Sequence, residues 1–164
     1  MKQGNGNKSF EDLKAVARDR ASRKFDVIQN VQECEFYNVA GRPQHMKLTL
    51  PDSSSINAEV DNHALDLICG YTHMPASYHR YCTNESKAEL ATRNLNEWFS
   101  DPITDKERRM FRFWKPETAD YGIAEGDEYQ LRSFHSSRYM RVDNEVIIDM
   151  VSPIIQKFKG GALK

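Results

Sequence analysis

ERRMFRFW, from Glu107 to Trp114, is the stretch on which the fold turns. Its residues alternate with a period of two, which predicts a strand: Arg109, Phe111 and Phe113 fall on one side, Met110, Arg112 and Trp114 on the other. Each side mixes apolar and basic residues, so the pattern does not select the buried face. Beyond the polar PETADYGIAEGD, Pro116 to Asp127, a second strand is expected from Glu128 to Phe134. Antiparallel pairing of the two is the default expectation.

Working outward, the same reasoning places further elements. Ser9 and Asp12 are suited to the start of a helix from Phe10 to Ser22, with Phe10, Leu13, Val16 and Ala17 as its apolar stripe. Cys34 to Val39 and His45 to Leu50 read as a hairpin across Ala-Gly-Arg-Pro, and Ile56 to Val60 as the next strand of a meander. Asp61 is predicted to cap a helix that buries Ala64, Leu65 and Ile68 and stops at Gly70. Pro75 opens a second helix, and Asn84 is predicted to cap a third that buries Leu90, Leu95, Trp98 and Phe99. Asp143 is predicted to cap the last helix, whose band runs through Val146, Ile147, Met150, Val151, Ile154, Ile155 and Phe158, with a kink at Pro153 and an end at Gly160-Gly161.

The expected class is α+β: an antiparallel sheet of several strands with four to five helices packed on it. The 164 residues suffice for one domain, placed over 10–159 between a flexible arm, 1–9, and a flexible tail, 160–164. With 39% hydrophobic and 29% charged residues, most of the chain is expected to fold. A net charge of −1 supplies no global attraction to polyanions, so any nucleic-acid contact must come from a local patch. Three cysteines without regular spacing and no apolar leader point to a reducing cytoplasm. No apolar run approaches the roughly 20 residues that span a bilayer, so no membrane partner is expected.

Chemistry-bearing clusters are few. Cys69, His73, His79 and Cys82 are four zinc-compatible side chains within a short segment, although their spacing matches no common finger pattern and buried free cysteines are frequent. His63, beside Asp61 and Asp66, reads equally as a polar residue near a helix start. Phosphate-loop, His-Glu-x-x-His and Cys-x-x-Cys signatures are absent. His135 next to Ser136 makes a weak nucleophile pair, because neighbours on a strand point to opposite faces. The sequence therefore leans away from an enzyme and implies no cofactor.

The arginines are the stronger feature. Arg109, Arg112, Arg132, Arg138 and Arg141 are interleaved with aromatic residues that include Trp114 and Tyr139. Guanidinium groups fit phosphate, and ring faces stack on unpaired bases, so a convergent set would suit single-stranded DNA or RNA. The competing reading makes the rings core and the arginines a solvated face balanced by carboxylates.

Two blocks carry a family resemblance: LICGYTHMPASYHRYCTNESKAELATRNLNEWF and LRSFHSSRYMRVDNEVI. They resemble the phage and plasmid proteins classed as domain of unknown function 932, through Pro75, Tyr78, Asn94, Asn96, Trp98, Arg132, Ser136, Arg138, Tyr139, Asp143 and Asn144. The resemblance spans roughly Leu65 to Ile155. Ser133 and His135 depart from its pattern, and its members continue past the last helix, so a short variant or a fragment is expected. It implies origin on a mobile element and a structural role for Pro75, Tyr78, Asn96, Trp98, Asp143 and Asn144. The leading expectation is an accessory protein binding single-stranded nucleic acid in replication or recombination. The rivals are a phage protein that modulates a host protein, and an enzyme or zinc-stabilised domain using His63 to Cys82. Homo-oligomerisation stays open.

Overall fold

The computed structural model describes residues 10–101, 107–115, 128–139 and 144–160. The expected arm, Ser9, the linking loop 116–127, Arg141, Asp143 and Gly161 lie outside them. In chain order the elements are α1 (Phe10–Ser22), β1 (Lys24–Asn30), β2 (Cys34–Tyr37), β3 (His45–Thr49), β4 (Ser55–Val60), α2 (Asn62–Tyr71), α3 (Ala76–Asn84), α4 (Ala88–Ser100), β5 (Arg108–Trp114), β6 (Glu128–Ser136) and α5 (Asn144–Gly160). Two compact units are resolved. One comprises Phe25–Tyr139 with the sheet and α2–α4, and the other joins the two chain ends with α1 and α5.

The class is α+β, as expected, but the sheet is mixed. Its strand order is β1-β5-β6-β4-β3-β2. The meander β2-β3-β4 and the pair β5-β6 are antiparallel, whereas β4 and β6 run parallel. The reason is the connection: α2, α3 and α4 carry the chain past the neighbouring position to β5, and β6, antiparallel to β5 and lying between it and β4, therefore runs in the direction of β4.

Register decides which face is buried. Cys34, Leu48 and Ile56 align across three strands, and Phe36, Met46, Ala58 and Tyr129 across four. Val60, Leu131 and Phe113 continue the row, followed by Phe134 against Phe111. These side chains form one core with Ala64, Leu65 and Ile68 of α2 and Leu95 and Phe99 of α4. In β5 the apolar parity is thus the one holding Phe111 and Phe113. An irregularity between Arg112 and Phe113 leaves Arg132 as the extra residue of β6, which shifts the parity of the last part of that strand.

The helix boundaries show what short-range signals miss. Asp61 caps α2 as expected, its Oδ1 accepting from Ala64 N at 2.8 Å. The stop is not Gly70, which remains helical. His73 takes the left-handed conformation (φ 54°), with Met74 N bonded to Cys69 O at 3.0 Å. α3 ends in the same manner on Ser86 (φ 59°), with Lys87 N bonded to Cys82 O at 2.7 Å. Asn84 is therefore the last residue of α3 and not the cap of α4, which starts after Lys87. Leu90 and Trp98 are exposed, and α4 instead buries Ala91, Thr92, Leu95 and Phe99. In the other unit Leu13, Val16, Val146, Ile147, Met150, Val151 and Ile154 are exposed, while Ala17 is buried and Phe10 and Ile155 are half-buried, so the apolar stripes read from sequence are buried there only in part. α5 continues through Pro153.

Candidate functional site

The expected basic surface is divided by the sheet. Arg109 shares the parity of Phe111 and Phe113, and its guanidinium lies over the Tyr71 ring at 4.4 Å while pairing with Glu107. Arg112 and Trp114 occupy the opposite face, where Arg112 makes two hydrogen bonds to the Asp26 carboxylate, at 2.8 and 3.0 Å. Arg132 bonds Asp61 at 3.2 Å and covers the Trp114 ring at 5.5 Å. Phe111, Phe113, Tyr129 and Phe134 are core residues, not a stacking platform. Met110 and Ser133 are buried in the middle of the second face, so that face offers no continuous track.

What remains open lies at the end of β6. The His135 and Tyr139 rings stack with centroids 4.1 Å apart and an interplanar angle of 8°, and Tyr139 is 46% exposed. Arg138 between them is exposed. His135 is hydrogen-bonded to Ser133, and burial, helped by the Arg112 and His63 charges, pushes its ionisation below the usual histidine range.

A second charge cluster was not anticipated. The Arg42 guanidinium bridges Glu59 at 3.0 Å and Glu128 at 2.9 Å, and the buried His45 reaches Glu128 at 2.7 Å and the Pro43 carbonyl at 2.8 Å. The His45 and Arg42 hydrogen bonds hold the Glu128 carboxyl below the ordinary range. Ligand atoms of His45, Glu59 and Glu128 lie within 4.8 Å of one another, but Arg42 already supplies the positive charge those carboxylates need.

The Cys/His set is not assembled. Among the described residues no metal-holding group contains Cys69, His73, His79 or Cys82. Cys69 and Cys82 are buried, and burial pushes the Cys69 thiol up to about 11. His73 is exposed and serves as a helix-ending residue, and His63 is exposed as well.

Five of the residues named from the resemblance, Pro75, Tyr78, Asn96, Trp98 and Asn144, lie as follows. Asn96 reaches the outer edge of β2, accepting from Phe36 N at 2.7 Å and donating to Phe36 O at 2.9 Å. An edge strand is thereby closed to further pairing. Pro75 is the cap of α3, while Tyr78 and Trp98 line a shallow pocket with Asn94. Asn144 begins α5.

The site that sequence reasoning missed surrounds His79, which is 3% exposed. Gln44 Nε2 donates to the carbonyls of Tyr37 (2.8 Å) and His45 (3.3 Å), so its amide oxygen must face the other way. There Oε1 lies 3.2 Å from His79 Nε2 and 3.0 Å from the Thr92 hydroxyl. Two backbone carbonyls thus set the amide, and the amide sets the histidine tautomer: Nε2 carries the proton and Nδ1 the lone pair. Nδ1 is buried and has no hydrogen-bond partner. Desolvation, with the Arg80 charge second, pushes the ionisation of His79 below the usual range and keeps the ring neutral. His79 also lines a cleft of about 630 Å³ beside the 38–44 loop. Nothing local in the sequence marks this cluster, because Gln44 stands 35 and 48 residues from its partners. No family model, curated protein or solved structure matches the chain.

Proposed function

We propose that the chain is a non-enzymatic accessory protein of a phage or plasmid that contacts single-stranded nucleic acid at the corner following β6. The carrying observation is the exposed Tyr139 ring stacked on the half-buried His135, with the exposed Arg138 next to it in sequence. A ring held flat by a neighbour is pre-ordered to stack on a base, and an exposed guanidinium next to it suits the adjoining phosphate. Arg132 of β6, half exposed and also paired with Asp61, adds a guanidinium–ring pair with Trp114 of the neighbouring β5. The resemblance of this segment is the ground for the mobile-element setting, and replication or recombination is the process such a setting and a single-strand contact would serve.

Fluorescence anisotropy with a labelled oligothymidylate tests the reading. Binding is expected at about 50 mM salt and is expected to weaken steeply towards about 200 mM. Tyr139→Ala is expected to lose about 1–3 kcal/mol of affinity, and Arg138→Ala to reduce the salt slope by about one. Absence of binding at the lower salt overturns the proposal.

A second reading, a protein that docks on a host protein, is favoured by the exposed Tyr78, Tyr81 and Trp98 of α3 and α4. Aromatic side chains of this kind anchor protein interfaces. Nuclease-resistant association that is lost in Trp98→Ala and Tyr81→Ala but kept in Tyr139→Ala selects this reading over the first.

A further inference from the structure

α5 carries its apolar band outward. Val146, Ile147, Met150, Val151 and Ile154 are all exposed, Met150 at 70% and Ile154 at 54%. At roughly 100° a residue, these five fall within an arc of about 140° on one side of the helix. Ser152, which is buried, stands about 200° round from both Met150 and Ile154. Ile148 and Ile155, between the two sides, are half-buried. α1 approaches from the side of Asp149, whose carboxylate lies 3.4 Å from Lys14 Nζ. A surface helix ordinarily buries its apolar stripe and leaves its serine in water, and here the reverse holds.

We propose that this band is a homodimer interface, in which α5 packs antiparallel on α5 of a second copy about a two-fold axis through the middle of the helix. Three observations select that occupant. The five side chains carry no charge, so an identical band meets them without leaving an ion unpaired. Their exposed area is on the order of 450 Å²; with Leu13 and Val16, exposed on α1 of the same unit, it approaches the roughly 600 Å² a protomer that the smaller specific interfaces bury. Charge runs from acidic to basic along α5, from the exposed Asp149 to the exposed Lys157, with Glu145 before them and Lys159 after them in sequence. Crossing at the midpoint of Asn144–Gly160 therefore sets Asp149 close to the level of Lys157 of the second copy. A parallel pair would set like charges level and align the two helix dipoles unfavourably. α1 has the same polarity, with Glu11 and Asp12 in its first turn and Arg20 in its last. A lipid surface suits the band less well, because helices that lie on membranes line their polar face with lysine and arginine, whereas Asp149 and Ser152 lie on that side of α5. The band shares no residue with the nucleic-acid corner.

Sedimentation of the full chain over a range of concentrations tests the proposal, and a reversible monomer–dimer equilibrium is expected. Met150→Glu and Ile154→Glu place a charge in the band at exposed positions, so each is expected to weaken association at least roughly tenfold while circular dichroism shows the fold kept. Leu90→Glu, on the exposed side of α4, is expected to leave the dimer unchanged. The arrangement is read by cross-linking. Val146 and Lys157 border the same side of the band, so Val146→Cys and Lys157→Cys, carried on differently tagged chains, are expected to form the mixed disulfide on mild oxidation in preference to either symmetric one. Antiparallel pairing holds each symmetric pair about 15–18 Å apart along the helix, beyond the reach of a disulfide. A monomer at every concentration overturns the proposal, as does a dimer that survives Met150→Glu and Ile154→Glu together. A chain that stays monomeric and binds phosphatidylserine vesicles through the band assigns that face to a membrane and overturns it too. So does an excess of the symmetric disulfides over the mixed one.

Discussion

The β5–β6 ribbon and the Gln44–His79–Thr92 cluster handle polarity in opposite ways. Along the ribbon, Arg109, Arg112 and Arg132 each meet a carboxylate, from Glu107, Asp26 and Asp61 respectively. In the cluster all groups are neutral, and one acceptor is left over. The difference follows from energetics: a partly buried cation without a counter-ion is far more costly than a neutral acceptor without a donor, so folds match the first and tolerate the second. An arginine-rich stretch is therefore a poor guide to a binding surface.

The largest effect that would break this contrast concerns the neutral cluster. Gln44→Leu removes the donor to Tyr37 O and His45 O and the acceptor of His79, and is expected to destabilise the fold by about 3 kcal/mol in urea unfolding. A loss no larger than that of an exposed substitution would show that the cluster is not a fixed network. Next comes Arg112→Ala. With Arg112 and Asp26 side chains only 14% and 20% exposed, it is expected to remove about 2 kcal/mol, and adding Asp26→Ala is expected to recover part of the loss in a double-mutant cycle.

A pH titration sharpens the comparison further. The folded-state ionisation of His79 lies below its ordinary 6.5, so the unfolded chain binds its proton first. The stability that neutral His79 contributes is complete above pH 6.5 and is lost as the pH falls through that value towards the folded one. His135 contributes with the same sign. Unfolding curves of His79→Gln are expected to show a shallower decline over this window, and an unchanged slope would remove the buried neutral histidine from the account. The smallest effect is expected from Arg132→Ala, whose side chain is 47% exposed: a change within about 1 kcal/mol, with Asp61 still capping α2.

Much of the fold was legible because its signals are local. The bounds of α1, the β2–β3 hairpin, the Asp61 cap and the β5–β6 pair each rest on residues close in sequence or on simple alternation. The misreadings have one physical cause. Gly70 and Asn84 carry the residue types of a stop and a cap, yet where α2 and α3 end is decided by packing, and His73 and Ser86 accept the left-handed conformation instead. Leu90 and Trp98 fit an amphipathic stripe, but the side of α4 that meets the sheet is set by Leu95 and Phe99 together with Asn96 gripping the edge of β2. The parallel pairing of β4 with β6 likewise depends on how three helices pack between them.

By itself, the sequence determined the α+β class, the strand-forming segments other than Lys24–Asn30, and the alternation of apolar and basic residues in Arg108–Trp114, because a period of two and a cap are properties of neighbours. Only the tertiary structure decided which parity is buried, that Asp26 would neutralise Arg112 across 86 residues, and that His79 would keep a bare lone pair beside a cleft. Hydrogen bonds and ion pairs act over a few ångströms in space and are indifferent to distance along the chain. The site they create has no signature in any single stretch of residues.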